Sequence, residues 1–138
     1  MVTPSGCTNS ATPICSGGAD TLTLRYRSSG VTSLGGASTL NDGADNTSQM
    51  DLLYPAVSEA GVYCANMVYG GYSDWFLPAR DEVLALSPVR TILNFTTGDY
   101  WSSSENSANN GWRVNLAANS FVASGKANYH FTRCMRRF

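Results

Sequence analysis

The chain has 138 residues, with nine basic and ten acidic side chains, a net charge of -1, 43% hydrophobic residues and only 14% charged ones. That length suits one domain with a proper core, and so little charge beside so much apolar content excludes a disordered chain. The near-neutral balance offers nothing to attract nucleic acid or an anionic membrane surface at long range, and no stretch approaches the roughly 18 apolar residues of a membrane span, so membrane insertion is not expected.

Residues 1–19 are rich in Pro, Ser, Gly and Thr and read as an irregular arm. No secretory leader is visible at Met1, so the chain is expected to be a segment of a longer protein or a mature segment given a new Met. Thr21 to Tyr26 alternates Thr or Arg with Leu or Tyr, the period-two pattern of a strand. Residues 28–46 are Ser, Gly, Asn and Asp, with Asn41-Asp42-Gly43 predicting a tight turn in a long loop. Residues 1–46 are thus expected to form an irregular N-terminal arm with one strand, and 47–138 the domain proper, together a single compact unit.

From Thr47 to Val68, apolar residues recur every three or four positions (Met50, Leu53, Tyr54, Val57, Ala60, Gly61, Cys64, Met67). This predicts a helix capped by Thr47 or Ser48, or one that starts after Pro55, stopped at Gly70-Gly71. A second, shorter helix is expected from Pro78 to about Leu86, closed by Ser87-Pro88. Short strands follow. One is Tyr100 to Ser104; one is built on Trp112, Val114 and Leu116 alternating with Arg113, Asn115 and Ala117; two more lie at Asn119 to Ser124 and Asn128 to Arg136.

The four cysteines, Cys7, Cys15, Cys64 and Cys134, suggest two disulfides and an oxidising compartment. Three pairings are possible; proximity favours Cys7–Cys15, which leaves Cys64–Cys134, and free thiols are the competing reading. With a single histidine and no C-x-x-C, neither a zinc site nor thiol-redox chemistry is expected, and no cofactor is implied.

Three blocks are together specific: Gly70-Gly71-Tyr72-Ser73-Asp74-Trp75-Phe76-Leu77-Pro78-Ala79-Arg80-Asp81-Glu82-Val83, then Tyr100-Trp101-Ser102-Ser103-Ser104-Glu105, then Arg133-Cys134-Met135-Arg136, with Trp112 between the last two. In this order they resemble the C-terminal domain family of the Legionella collagen-like proteins over residues 60–138. The chain departs from that pattern at Phe76, where Arg is usual, and in ending with Arg137-Phe138. The resemblance implies an α+β chain of the C-type-lectin-like fold, with two helices packed on small antiparallel sheets and the termini close together. Structural roles are expected for Trp75, Phe76 and Leu77 as buried mass, and for Glu82 as a partner of a terminal arginine.

Sugar-binding C-type lectins hold calcium through Glu-Pro-Asn or Gln-Pro-Asp and a later Trp-Asn-Asp, none of which occurs here, so no metal site is expected. His130, the only histidine, has no motif around it, and the chain is not expected to be an enzyme. Between Trp101, Trp112 and Cys134 the sequence mixes Asn, Ser, Ala, Arg, Phe, Tyr and His, residue types found in adaptable paratopes. This resembles the variable proteins of diversity-generating retroelements, which carry a hypervariable C-terminal region on a C-type-lectin-like scaffold. The resemblance points to Ser107, Ala108, Asn109, Asn110, Arg113, Asn115, Ala117, Ala118, Asn119, Phe121, Ala123, Ser124, Ala127, Asn128, Tyr129 and His130 as ligand-binding positions. Tyr129, Phe121 and Arg113 are the expected anchors, and a protein or glycan on another cell or virion surface is the expected partner. The chain would then be extracellular, on a cell surface or a virion. The alternative is an invariant adhesin that binds sulfated polysaccharide through Arg133, Arg136 and Arg137, which otherwise read as a solvated strand end.

Overall fold

Asn41-Asp42-Gly43 does not turn the chain; it starts a helix. In the computed structural model, which describes Met1–Arg137, the Asp42 carboxylate accepts the Asp45 N–H at 3.0 Å and caps α1 (Gly43–Leu53). Gly43 is required at this point because a Cβ there would collide with the backbone of Leu77 and Ala79. The long helix expected from Thr47 to Val68 is therefore two helices. α1 ends before Tyr54, whose position ahead of Pro55 disfavours helical backbone, and α2 (Glu59–Ala65) follows after one loose turn. Gly61 lets α2 lie against Met50 of α1 with no side chain between. The expected Pro78–Leu86 helix is shorter, α3 (Arg80–Leu84), continued by a 3-10 turn at Ser87–Val89.

Five strands form one mixed sheet: β1 (Thr23–Arg25), β2 (Asp99–Glu105), β3 (Asn110–Asn115), β4 (Ser120–Gly125) and β5 (Tyr129–Phe131), in the order β1-β5-β2-β3-β4. The described residues are α+β, with three α-helices and this one sheet where two helices and small antiparallel sheets were expected. All pairings are antiparallel except β5 against β2, where Tyr100 faces Phe131 in parallel. The strand expected from Asn128 to Arg136 stops at Phe131, and Met135 instead bridges Val2 and Phe76. The bridge to Val2, with Thr3 N–H donating to the Cys134 carbonyl at 3.0 Å, brings the two ends of the chain together. Of the closing pair Arg137-Phe138, Phe138 lies outside the described residues.

The register assigns the two sheet faces. Leu24, Trp101, Gly111, Arg113, Asn115, Val122, Ser124 and His130 point to one side, and Tyr100, Trp112, Val114, Phe121, Ala123, Tyr129 and Phe131 to the other. On the first side, Leu24, Tyr26 and Trp101 join Met50, Ala60, Cys64, Met67, Trp75, Leu77 and Cys134 in the main core under α1 and α2. On the second, Val83 of α3 covers Tyr100, Val114 and Leu116, with Phe95 and Phe131 at the margin. Residues 20–46 supply Leu24, Tyr26 and Ala37 to the main core, so the arm and the domain share one interior.

Two disulfides, Cys7–Cys15 and Cys64–Cys134, complete the frame. The second staples α2 to the C-terminal segment inside the core. Such bonds fit an oxidising compartment, and no helix among the described residues is long and apolar enough to cross a membrane.

Candidate binding surface

On the first sheet face α1 packs on β2 and α2 on β1 and β2, and over β3 and β4 Gly111 and Ser124 are buried while the part toward the β3–β4 turn is open. The open half carries Arg113, Asn115, Ser120 and Val122, all at least partly exposed, with Val122 half in solvent. Arg113 is held by an ion pair with Asp99 of the neighbouring strand, each side chain more than a quarter exposed. Asn115 accepts the Ala118 N–H at 3.0 Å and so shapes the β3–β4 turn. In that turn Asn119 has φ +51°, a left-handed conformation that asparagine tolerates.

The expected ligand positions reach the surface at least partly, all but Ser124. They do not form one patch. Ser107, Ala108, Asn109 and Asn110 lie at the β2–β3 turn, beside Ala127 and Asn128, because Lys126 N–H donates to the Asn109 carbonyl at 3.1 Å. Ala117, Ala118 and Asn119 occupy the opposite end of the hairpin. Ala123 and Phe121 face the α3 side, where Phe121 meets Trp112 edge-on and the Arg80 guanidinium lies 4.1 Å from the Phe121 ring centre. Tyr129 stands near β1, under Arg25. Ser124 and His130 are bonded to each other at 2.8 Å, and Asn128 donates to Ser124 at 3.1 Å.

The three expected anchors are therefore not on common ground. Arg113 projects from one face, whereas Phe121 on the edge strand β4 and Tyr129 on β5, three strands away, project from the other. Val122, between Phe121 and Ala123 in sequence, was not among the expected positions. Strand alternation carries the signal that finds it: once Phe121 is placed on one face, Val122 must take the other.

The charged residues are nearly all spent on the fold. Arg133 is buried, donating to the Thr3 carbonyl at 2.6 Å and facing Asp20 at 3.4 Å. Arg136 pairs with Asp74 and Arg137 with Asp42. Of the expected terminal basic cluster, Arg133 is thus buried, whereas Arg137 is solvated beside Asp42 and Arg136 is held against Asp74. Glu82, expected to meet one of these arginines, instead accepts the Gly43 and Ala79 N–H groups at 2.7 and 2.9 Å. Among the described lysines and arginines, Arg90 is the one without a carboxylate within ion-pair distance.

Sequence reading also missed a buried ion triad. Glu105 lies between Lys126, at 2.6 Å, and Arg27, at 3.6 Å, all with side chains no more than 3% exposed. Glu105 also accepts the Gly35 N–H, and Arg27 donates to the Gly30 and Ser33 carbonyls. The triad ties the 28–36 loop to the ends of β2 and β4. Burial lowers the Lys126 pKa, opposed by the hydrogen bond and attraction from Glu105. His130 is also shifted down, first by burial, with Asp99 opposing and Arg113 reinforcing.

A family model described as the Lcl C-terminal domain matches residues 20–136. The match begins well upstream of the region 60–138 where the motif blocks are recognisable, consistent with the shared core. No curated protein sequence matches the chain.

Proposed function

The chain belongs to the Lcl C-terminal domain family, and from that membership and the geometry of the β3–β4 hairpin we propose that it is a surface-displayed ligand-binding module rather than an enzyme. The contact surface is the open half of the sheet, Arg113, Asn115 and Val122, with the adjoining turn Ala117–Asn119. The observation that carries the reading is the contrast between this surface and its support. Trp101, Val114, Leu116 and Cys134 are buried and the frame is stapled by two disulfides, while the intervening positions reach solvent. A rigid frame under adaptable contact residues limits the ordering cost of binding.

The finer fold reading, C-type-lectin-like, is supported by the adjacent termini and by the disulfide from α2 to the terminal segment. Extracellular display on a cell surface or virion is supported by both disulfides. The ligand is a neutral glycan or a protein surface: pairing of nearly every cation with a carboxylate leaves a sulfated polymer no basic stripe to follow.

A second reading makes the same surface diversified, as in the variable proteins of diversity-generating retroelements. Its support is that solvent exposure follows the expected positions through turns and strands alike, Ser124 excepted. A near-copy of the codons for residues 100–138 beside a reverse-transcriptase gene, differing at adenines, is the expected finding; no such copy leaves a fixed adhesin. The binding reading itself is tested by probing arrays of neutral glycans, sulfated glycans and cell-surface proteins with the chain. Binding to neutral glycan or protein that resists high salt is expected. Retention on sulfated polymers alone, abolished by salt, contradicts it.

A further inference from the structure

The sheet has two edges, and the fold treats them differently. β1 is three residues long, and its outer side is occupied: the Arg25 N–H donates to Glu59 at 2.9 Å, and the Arg25 side chain closes on the same carboxylate. A short strand with a charged partner over it is a protected edge. β4 has neither device. It runs six residues, Ser-Phe-Val-Ala-Ser-Gly, with no charge and no proline. Beyond its ladder with β3, the one backbone hydrogen bond of a β4 residue among those described is the Gly125 carbonyl accepting from Asn128. Phe121 and Val122 stand exposed on its two faces.

We infer that β4 is a docking edge for a second copy of this chain, paired antiparallel across a two-fold axis at Val122. The strand is complementary to itself in that register. Phe121 lies opposite Ala123 of the other copy, twice, which sets a large side chain against a small one on the face that holds Trp112. Ser120 lies opposite Ser124, and Val122 meets its own counterpart. No like charges oppose one another, the usual barrier to edge pairing. The next register that keeps the faces matched and centres on Phe121 crowds the two rings together. The axis runs perpendicular to the sheet, so both open faces point the same way, and the pair presents two Arg113–Asn115 surfaces side by side. Two weak contacts then act together at high effective concentration. A six-residue edge is smaller than the roughly 1,200–2,000 Å² of a stable interface, so the dimer is a reversible one that forms at high local concentration, as on a crowded surface.

The test contains no ligand, so it fails separately from the binding reading. Sedimentation velocity of the 138-residue chain, over a series reaching millimolar concentration, is expected to show a monomer–dimer equilibrium. Val122→Glu and Val122→Lys, each at an exposed site, are expected to be folded monomers by circular dichroism throughout the series. An equimolar mixture of the two is expected to restore the dimer. A wild-type chain that stays monomeric overturns the inference. So does a dimer that either single variant leaves intact, because another face is then in use.

Discussion

The Ser124 hydroxyl and Nε2 of His130 lie 2.8 Å apart although β2 and β3 separate their strands. The His130 ring sits against Trp101, its centre 4.7 Å from the indole. Gly111 packs on the same indole: a Cβ there would meet the rings of Tyr26 and Trp101 at 2.9 and 3.1 Å. The nearby carboxylate, Asp99, is paired with Arg113.

Burial holds the His130 pKa below its ordinary 6.5. The unfolded chain therefore binds a proton before the folded one does as pH falls. Stability is complete above 6.5 and is lost as pH drops from there toward the lowered folded value. The carboxylates shifted downward, Asp42, Glu59 and Asp74, titrate below this window. Urea denaturation of wild type and His130→Gln is expected to show a loss of stability just below pH 6.5 in the wild type and a flatter profile in the variant. Equal slopes contradict the assignment.

Glu105 neutralises two buried cations, and removing its charge leaves both without a counterion. Glu105→Gln is expected to cost on the order of 3–5 kcal/mol in chemical denaturation. The 28–36 loop should also become the earliest site of proteolysis, because the charge that anchors Arg27, and through it the Gly30 and Ser33 carbonyls, is gone.

The two disulfides close loops of very different size, with sequence separations of 8 and 70. On chain-entropy grounds the short one is worth about 2–3 kcal/mol and the long one about 4 kcal/mol. Replacing Cys64 and Cys134 together with Ala is therefore expected to lower the melting temperature more than replacing Cys7 and Cys15. The reverse order would place the stapled core elsewhere.

The tryptophans divide likewise. Trp101 is 1% exposed and its indole N–H donates to the Leu24 carbonyl at 2.8 Å; Trp112 is only half-buried, between Arg80 and Phe121. Trp101→Ala is expected to cost about 3–5 kcal/mol, and Trp112→Ala clearly less. Calorimetry of the two variants gives the comparison.

Local pattern made part of this legible. Val114 and Leu116 are buried as their alternation with Arg113 and Asn115 requires, and Trp75, Phe76 and Leu77 are buried as their bulk requires. Trp112, in phase with the buried pair, stays half-exposed because it lies toward the hairpin end, past the irregularity between Trp101 and Glu105 in β2. Long-range relationships left no local trace. Arg27, Glu105 and Lys126 share no motif, and the parallel meeting of β5 with β2 is set by where the β3–β4 hairpin returns the chain. Asn41-Asp42-Gly43 reads as a turn or as a helix cap equally well, and only the approach of Leu77 and Ala79 decides it. The expected ligand positions were legible as residues that reach the surface, Ser124 apart, but not as a patch, since alternation sends neighbours to opposite faces.

The most direct test of the binding surface is to load the open face with charge while leaving the frame alone. Ala117→Glu combined with Val122→Glu alters two exposed side chains, each expected to change stability by less than about 0.5 kcal/mol. Binding to the array ligands and the melting temperature are measured on the same preparation. Loss of binding with an unchanged melting temperature is the predicted result. Undiminished binding by the folded double variant would place the contact surface elsewhere on the molecule.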